Sequence, residues 1–357
     1  MKLKRIISLI SAIILFLVGT SILLYVNYIS PVSKESNSKI IEIKQGSTSR
    51  DIGNILYKNN LIKSDKFFVI YLKINEINDL KAGTYKLNSN MNLKQIIEKI
   101  KNGDIYKDDT IRITFREGIN YREFARIVEK NTNNSYDDVL NVLNDKDYIN
   151  SLIEDYWFIT NDILNDKIYY ALEGYLFPDT YEFKNKSVTV PEIIKKLLDQ
   201  MDKVLTPYKE KIENDKYSIH ELLTLASIAE KEVNNKIVED DRKKVVSVFI
   251  NRLNKKISLG SDITTRYGIK LDDTRPLKKS EYADNNPYNT RNVNNIGFIP
   301  SPICMVSNDS IEASINRVET NYLYFISNVT TGETFFFEKS KDFEAKKNEL
   351  SKVNGGY

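Results

Sequence analysis

The chain of 357 residues has one cysteine, Cys304, and one histidine, His220. A lone cysteine excludes an internal disulfide and a thiolate cluster for zinc. A lone histidine excludes a zinc site of the His-Glu-x-x-His kind, which needs two. A Ser-His-Asp triad would have to use His220, but that residue stands in "YSIHEL" and no G-x-S-x-G elbow occurs anywhere. His220 is therefore expected to be structural. Excess charge of one sign is missing too. The balance of 52 basic and 49 acidic side chains leaves +3, with no basic stripe interleaved with aromatics, so nucleic acid is not an expected partner. There is no internal repeat, no low-complexity tract, and no sign of a cofactor or metal site. What remains for chemistry is carboxylates, hydroxyls and amides.

A long apolar run is present at the start. Residues 1–5, "MKLKR", are basic, and no charge follows until Lys34. Residues 6–29 are almost continuously apolar, long enough as a helix to cross the ~30 Å hydrocarbon core. The segment exceeds the roughly 7–15 residues of a signal-peptide core. An uncleaved transmembrane helix is expected at 6–29, with 1–5 as a cytoplasmic tail, since basic residues precede the span and none closely follows it. The rest of the chain is then expected outside the cell membrane, where a lone cysteine is acceptable.

Two stretches follow a polar linker at 30–39. Residues 40–108 read as strand, helix, helix, strand, helix. Thr48 and Asp51 form an expected capping box, Gly103 an expected helix stop, and "LKAGTYKL" a short strand pair around Gly83. Residues 109–357 form the larger part. "DTIRITF" is an expected strand, "NYREFARIVEKN" a helix, "SYDDVLNVLNDKDYINSL" one helix capped at Ser135, and residues 155–170 irregular. Helices are expected at 191–204 and 243–253 and from about 342. The stretches "LGSDITTRYGI", "NNPYNTRNV" and "IGFIPSPI" look like loops, and "NYLYFISN" with "GETFFFEKS" like a hairpin of core strands. The fold class expected is α+β throughout.

One helix carries an anomaly. In "LLTLASIAEKEV", residues 222–233, a step of about 100° per residue gathers Leu222, Leu225, Ala226, Ala229 and Val233 on one arc. Lys231 points away from that arc, whereas Glu230 and Glu232 lie on its two flanks. An ordinary explanation for Glu232 is an ion pair with an arginine such as Arg242, and for Glu230 a structural salt bridge or a supporting role behind Glu232.

The runs "LEGYLFPDTY", "ASIAEKE", "VFINRL", "SDITTRYG", "PYNT" and "YLYF", in this order and spacing, resemble the endolytic murein transglycosylase (MltG, YceG-like) family over essentially everything after the apolar run. The resemblance implies a single N-terminal anchor, a small LysM-like module at 40–108 and a larger catalytic domain at 109–357. It also implies cleavage of β-1,4 MurNAc–GlcNAc bonds in nascent peptidoglycan to leave 1,6-anhydroMurNAc ends, which terminates strand elongation. By match to the family's motifs, Glu232 is implied as the catalytic residue. Ser261, Asp262, Tyr288 and Asn289 are implied to line its cleft, and Glu173 is a further candidate for substrate binding. Peptidoglycan glycan strands are the implied substrate, and peptidoglycan synthases of the elongation machinery the implied partners. Three departures from the family pattern stand out: Val233 directly after Glu232, Ser301 within "IGFIPSPI", and "ETFFF" where a histidine is usual.

The chemistry is consistent with those assignments. A carboxylic acid can protonate a glycosidic oxygen near neutral pH only if apolar surroundings raise its pKa. A hydrolase normally adds a second carboxylate. A lytic transglycosylase needs none, because the sugar's own 6-hydroxyl attacks, so one group can act as acid and then base. Two other functions remain open at this point: a non-catalytic peptidoglycan-binding scaffold, and a hydrolase pairing Glu232 with Asp262 or Glu173.

Overall fold

The computed structural model describes residues 2–107, 109–233, 239–273, 275–328 and 330–353. Met1, the expected boundary residue Asp108 and the last four residues lie outside them. The described residues mix helix with three two-stranded antiparallel sheets, and the chain falls into two compact units, Met1–Asp108 and Asp109–Tyr357.

The first unit begins with the helix Lys2–Ile29, whose residues Ile7–Ile29 are long and apolar enough to cross a membrane. Beyond it, the strand Ser38–Ile43 pairs with Gly83–Asn88, Ile43 opposite Gly83. Hence "LKAGTYKL" is not a strand pair of its own: it supplies one strand, and its partner comes from some forty residues earlier. The helices Ser49–Lys58, Asp65–Ile74 and Leu93–Asn102 cover the ribbon. Thr48 and Asp51 do form a reciprocal capping box, and Gly103 ends the third helix at φ 76°. Ile41, Leu56, Phe68, Tyr85 and Ile96 fill the core.

In the second unit, Ile111–Thr114 pairs with Thr180–Phe183, placing the "FREG" turn beside "FPDT". The expected single helix after Ser135 is two, Tyr136–Val142 and Lys146–Asp155. Asp145 divides them by accepting the backbone N–H groups of Asp147 and Tyr148 at 3.1 Å each, a cap that competes with helix continuation. The "SDITTRYG" stretch, expected as loop, is the helix Asp262–Gly268. The aromatic hairpin Tyr324–Ser327 with Thr334–Phe337 is half-buried rather than core.

The helix Ile219–Glu232 is the axis of this unit. Ser218 and Glu221 cap its start reciprocally. Its residues from Ile219 through Glu230 are buried apart from half-buried Glu221. Leu222, Leu223 and Ala226 join one hydrophobic cluster, and Leu225, Ile228 and Ala229 join another. A helix packed on both sides needs no polar face, and its polar residues are exceptions to be accounted for individually.

Candidate active site

The two glutamates at the end of this axial helix have separate fates. Glu230 turns inward. Its Oε2 accepts the Ser307 N–H at 3.0 Å, the Ser307 hydroxyl, and the Ser310 hydroxyl at 2.6 Å. These donors sit at the N-terminus of the helix Asn308–Ile315, where unpaired N–H groups and the helix dipole favour an anion. Glu230 is thus held by structural bonds. Arg242 pairs with Asp309 at 3.7 Å and donates to Ser307, so the ion pair with Glu232 that would explain that residue innocently is not among its bonds.

Glu232 is the last residue of the helix and is only partly exposed. Burial raises its pKa above the usual carboxylate range. The Ser261 hydroxyl, donating to Oε1 at 2.6 Å, opposes the rise; the charge of Asp262 adds to it, and Arg291 and Arg252 oppose it more weakly. Burial acts hardest on the charged form and wins. The result is a carboxyl that holds its proton to higher pH than a surface glutamate and still has a hydrogen-bonding hydroxyl at one oxygen.

Ser261 is placed with care. Gly260 before it has φ 69°, the left-handed region that favours glycine. Its N–H donates to the Thr290 carbonyl at 3.0 Å, and the Ser261 N–H to the Thr290 hydroxyl at 2.9 Å. Ser261 then caps Asp262–Gly268 by accepting the Ile263 N–H at 3.2 Å. Asn289 clamps the same turn, accepting from the Thr265 hydroxyl at 2.7 Å and donating to the carbonyls of Tyr282 and Asp284. Asp262 meets Arg291 Nε at 2.6 Å on the surface.

The remaining expected site residues lie inside. Tyr288 is fully buried, its hydroxyl 2.8 Å from that of Ser301, the residue that interrupts the family's glycine-proline turn. Asn289 is also fully buried. Glu173, 1% exposed, accepts the Tyr121 N–H and the Tyr267 hydroxyl, both at 3.0 Å. Burial lifts its pKa to about 8 despite those donors, so it is neutral at pH 7. These three residues do not line the cleft beside Glu232. His220 is bonded on both ring nitrogens, to the Tyr175 hydroxyl and the Pro300 carbonyl.

A cleft of about 790 Å³ opens at Glu232; its other walls come from Thr114, Arg116 and Glu117, which no motif had flagged, and from Asp179 and Thr180 of "LEGYLFPDTY". Gly118, at φ 73°, is locked between segments. Its N–H donates to the Met305 carbonyl at 2.9 Å, and its carbonyl accepts Lys231 Nζ at 3.0 Å. Glu117 beside it has its pKa raised, first by burial and then by the charge of Glu230. The one signal available in the sequence was a charged pair before a glycine at the end of a strand, a common pattern in ordinary turns. Among the described residues, no group of three or more His, Cys, Asp or Glu is arranged to hold a metal ion.

Comparison with known proteins gives the chain its family. The model of the YceG-like family matches residues 41–349. An endolytic murein transglycosylase of Bacillus subtilis (strain 168) is 37% identical over 342 residues, covering 95% of this chain and 91% of that protein. Another of that name from Streptococcus pneumoniae (serotype 2, strain D39) is 32% identical over 87% of the chain, which spans only 58% of its length. The crystal structure of a YceG-like protein from Listeria monocytogenes superposes with a TM-score of 0.61 at 32% identity, covering 87% of this chain and 99% of that one. With a family match running from the first strand into the last helix, and relatives this similar along nearly the whole length, the chain belongs to the YceG-like family.

Proposed function

We propose that this protein is an endolytic lytic transglycosylase of peptidoglycan, a lyase, with Glu232 as its single acid–base group. The observation that carries the reading is Glu232 itself, a carboxyl of raised pKa at the mouth of a large cleft, bonded to one hydroxyl. In the protonated form it gives its proton to the glycosidic oxygen as the C1–O bond breaks. The sugar's 6-hydroxyl closes on C1 to form the 1,6-anhydro ring and returns its proton to the Glu232 carboxylate. The carboxyl ends as it began, and no water is consumed. An intramolecular nucleophile avoids the entropy of capturing a second molecule, and the acid and base steps fit one residue.

Ser261 tunes and orients Glu232, and Asp262 with Arg291 forms a polar rim for sugar hydroxyls. Arg116, Glu117, Asp179 and Thr180 supply the opposite wall. Glu173, Tyr288 and Asn289 act from behind, as positioning residues. The hydrolase alternative finds little support. Glu173 is sealed in the core with its donors, and Asp262 is tied to Arg291.

Residues 40–108 of the first unit are a LysM-like module, and residues 109–357 the catalytic domain. The helix Lys2–Ile29 anchors the chain in the cell membrane with its N-terminus in the cytoplasm. Such an anchor keeps the cleft near the site where synthases of the elongation machinery release new strands, and this makes them the expected partners.

The test is digestion of purified peptidoglycan followed by mass analysis. The wild type should leave 1,6-anhydroMurNAc ends, and Glu232→Gln should be folded and slower by about 10²–10⁴-fold. New reducing ends would establish hydrolysis instead, and full activity in Glu232→Gln would remove Glu232 from the mechanism.

A further inference from the structure

The first unit holds an apolar surface that the proposed chemistry does not use. On the helix Asp65–Ile74, Phe67, Ile70, Tyr71 and Ile74 fall on one stripe at helical spacing. Ile70 is 54% exposed and Ile74 74%. The stripe continues from a contact with the N-terminal helix. Phe67 stacks on Tyr28 at 5.0 Å and meets Tyr25 at 6.0 Å, and Tyr71 meets Tyr25 at 6.4 Å. Just before the helix, Lys63 Nζ donates to Asn27 Oδ1 at 3.2 Å and Ser30 Oγ at 2.8 Å.

These contacts have a direction. Lys63 meets residues 27 and 30, Phe67 residues 25 and 28, and Tyr71 residue 25. The helix therefore runs back along the N-terminal helix, towards its apolar middle, and Ile74 lies one turn further still. The chain then reverses at Glu76, φ 52°, with the Ile77 N–H on the Leu72 carbonyl. At 1.5 Å per residue, about twenty residues cross the ~30 Å hydrocarbon core, so a core starting at Ile6 ends near Tyr25.

We infer that the tip of Asp65–Ile74 enters the outer interface of the bilayer, with Ile70 and Ile74 as its wedge. The occupant of this surface is lipid. Tyr25, Tyr28 and Tyr71 stand at the depth where amphipathic rings settle. Lys66 and Lys73, exposed beside Ile70, reach the headgroups in the manner of interfacial helices. The module is thereby held on the membrane at two points. This inference rests on the membrane anchoring proposed above.

The experiment uses the full chain in liposomes, with a polarity-sensitive fluorophore on single cysteines introduced by Leu15→Cys, Ile70→Cys, Ile74→Cys or Gln45→Cys. Native Cys304, 1% exposed, stays unlabelled in the folded chain, and the parent protein checks this. Quenching by lipids spin-labelled near the headgroup should be strong at positions 70 and 74 and absent at 45, an exposed turn at the far end of the first strand. Shielding at position 15 from aqueous quencher reports the anchor separately. If position 15 is shielded while 70 and 74 behave like 45, the module stands clear of the bilayer and the inference falls. If position 15 is not shielded, the anchoring itself is wrong, and the inference falls with it.

Discussion

Replacing Ser261 by alanine isolates the tuning of Glu232 from its existence. The Ser261 hydroxyl donates to Glu232 Oε1 at 2.6 Å and opposes the rise that burial imposes on its pKa. A hydrogen bond to a charged group contributes about 1.5–3 kcal/mol, and one pKa unit corresponds to about 1.4 kcal/mol. The bond favours the carboxylate, so its loss raises the pKa further, less so where water takes over part of the role. The acid form then survives to higher pH. The alkaline limb of kcat/KM, which reports the free enzyme's essential acid, should move to higher pH, while the plateau falls through lost orientation. Ser261 also caps Asp262–Gly268, so Tm should drop by the effect of about 0.5–2 kcal/mol expected of a lost cap. Initial rates on defined glycan strands across pH, with Tm recorded at each pH, separate the two effects. An alkaline limb that stays in place while Tm falls would show that the titrating acid is not Glu232.

Other outcomes follow from the same geometry. Glu230→Ala removes an anchor with three donors at a helix start. It should destabilise the fold by about 2–4 kcal/mol as read by urea midpoint, without moving the pH profile of the activity that remains. Glu173 keeps its proton in the folded chain up to about pH 8, whereas the unfolded carboxyl loses it near 4.5. Its contribution to stability is therefore complete below about pH 4.5 and declines as pH rises to 8, by up to about 1.4 kcal/mol per unit. Glu173→Gln should flatten that slope in denaturation series between pH 5 and 8, and equal slopes would refute the assignment. Glu117→Gln should raise KM on glycan about tenfold, equivalent to one hydrogen bond of about 1.4 kcal/mol, while kcat changes much less than in Glu232→Gln. A larger fall in kcat would give Glu117 a part in the chemistry.

The axial helix was legible because its signals are local: Ser218 and Glu221 mark its start, and the apolar run requires burial. The two glutamates could be recognised as anomalous from spacing alone. Their division of labour could not, because Ser307 and Ser310 lie 77 and 80 residues further on. Glu173 misled for the same reason. Its motif left it a candidate for substrate binding, but its donors, 52 and 94 residues away, close over it. The helix Asp262–Gly268 was hidden by a terminal glycine and two adjacent threonines, poor helix formers; the threonines here bond Thr290 and Asn289. The wall with Glu117 needed the pairing of strands some seventy residues apart, which no local pattern records.

The lock on Gly118 has a consequence in time. Glu232, the Ser261 that bonds it and Arg291 all precede residue 300, but Met305, Ser307 and Ser310, which fasten Gly118 and Glu230, do not. A growing chain therefore holds Glu232, Ser261 and Arg291 before it holds the residues that fasten Gly118 and Glu230, so the cleft wall at Gly118 and the end of the axial helix are secured only when most of the second unit has been made.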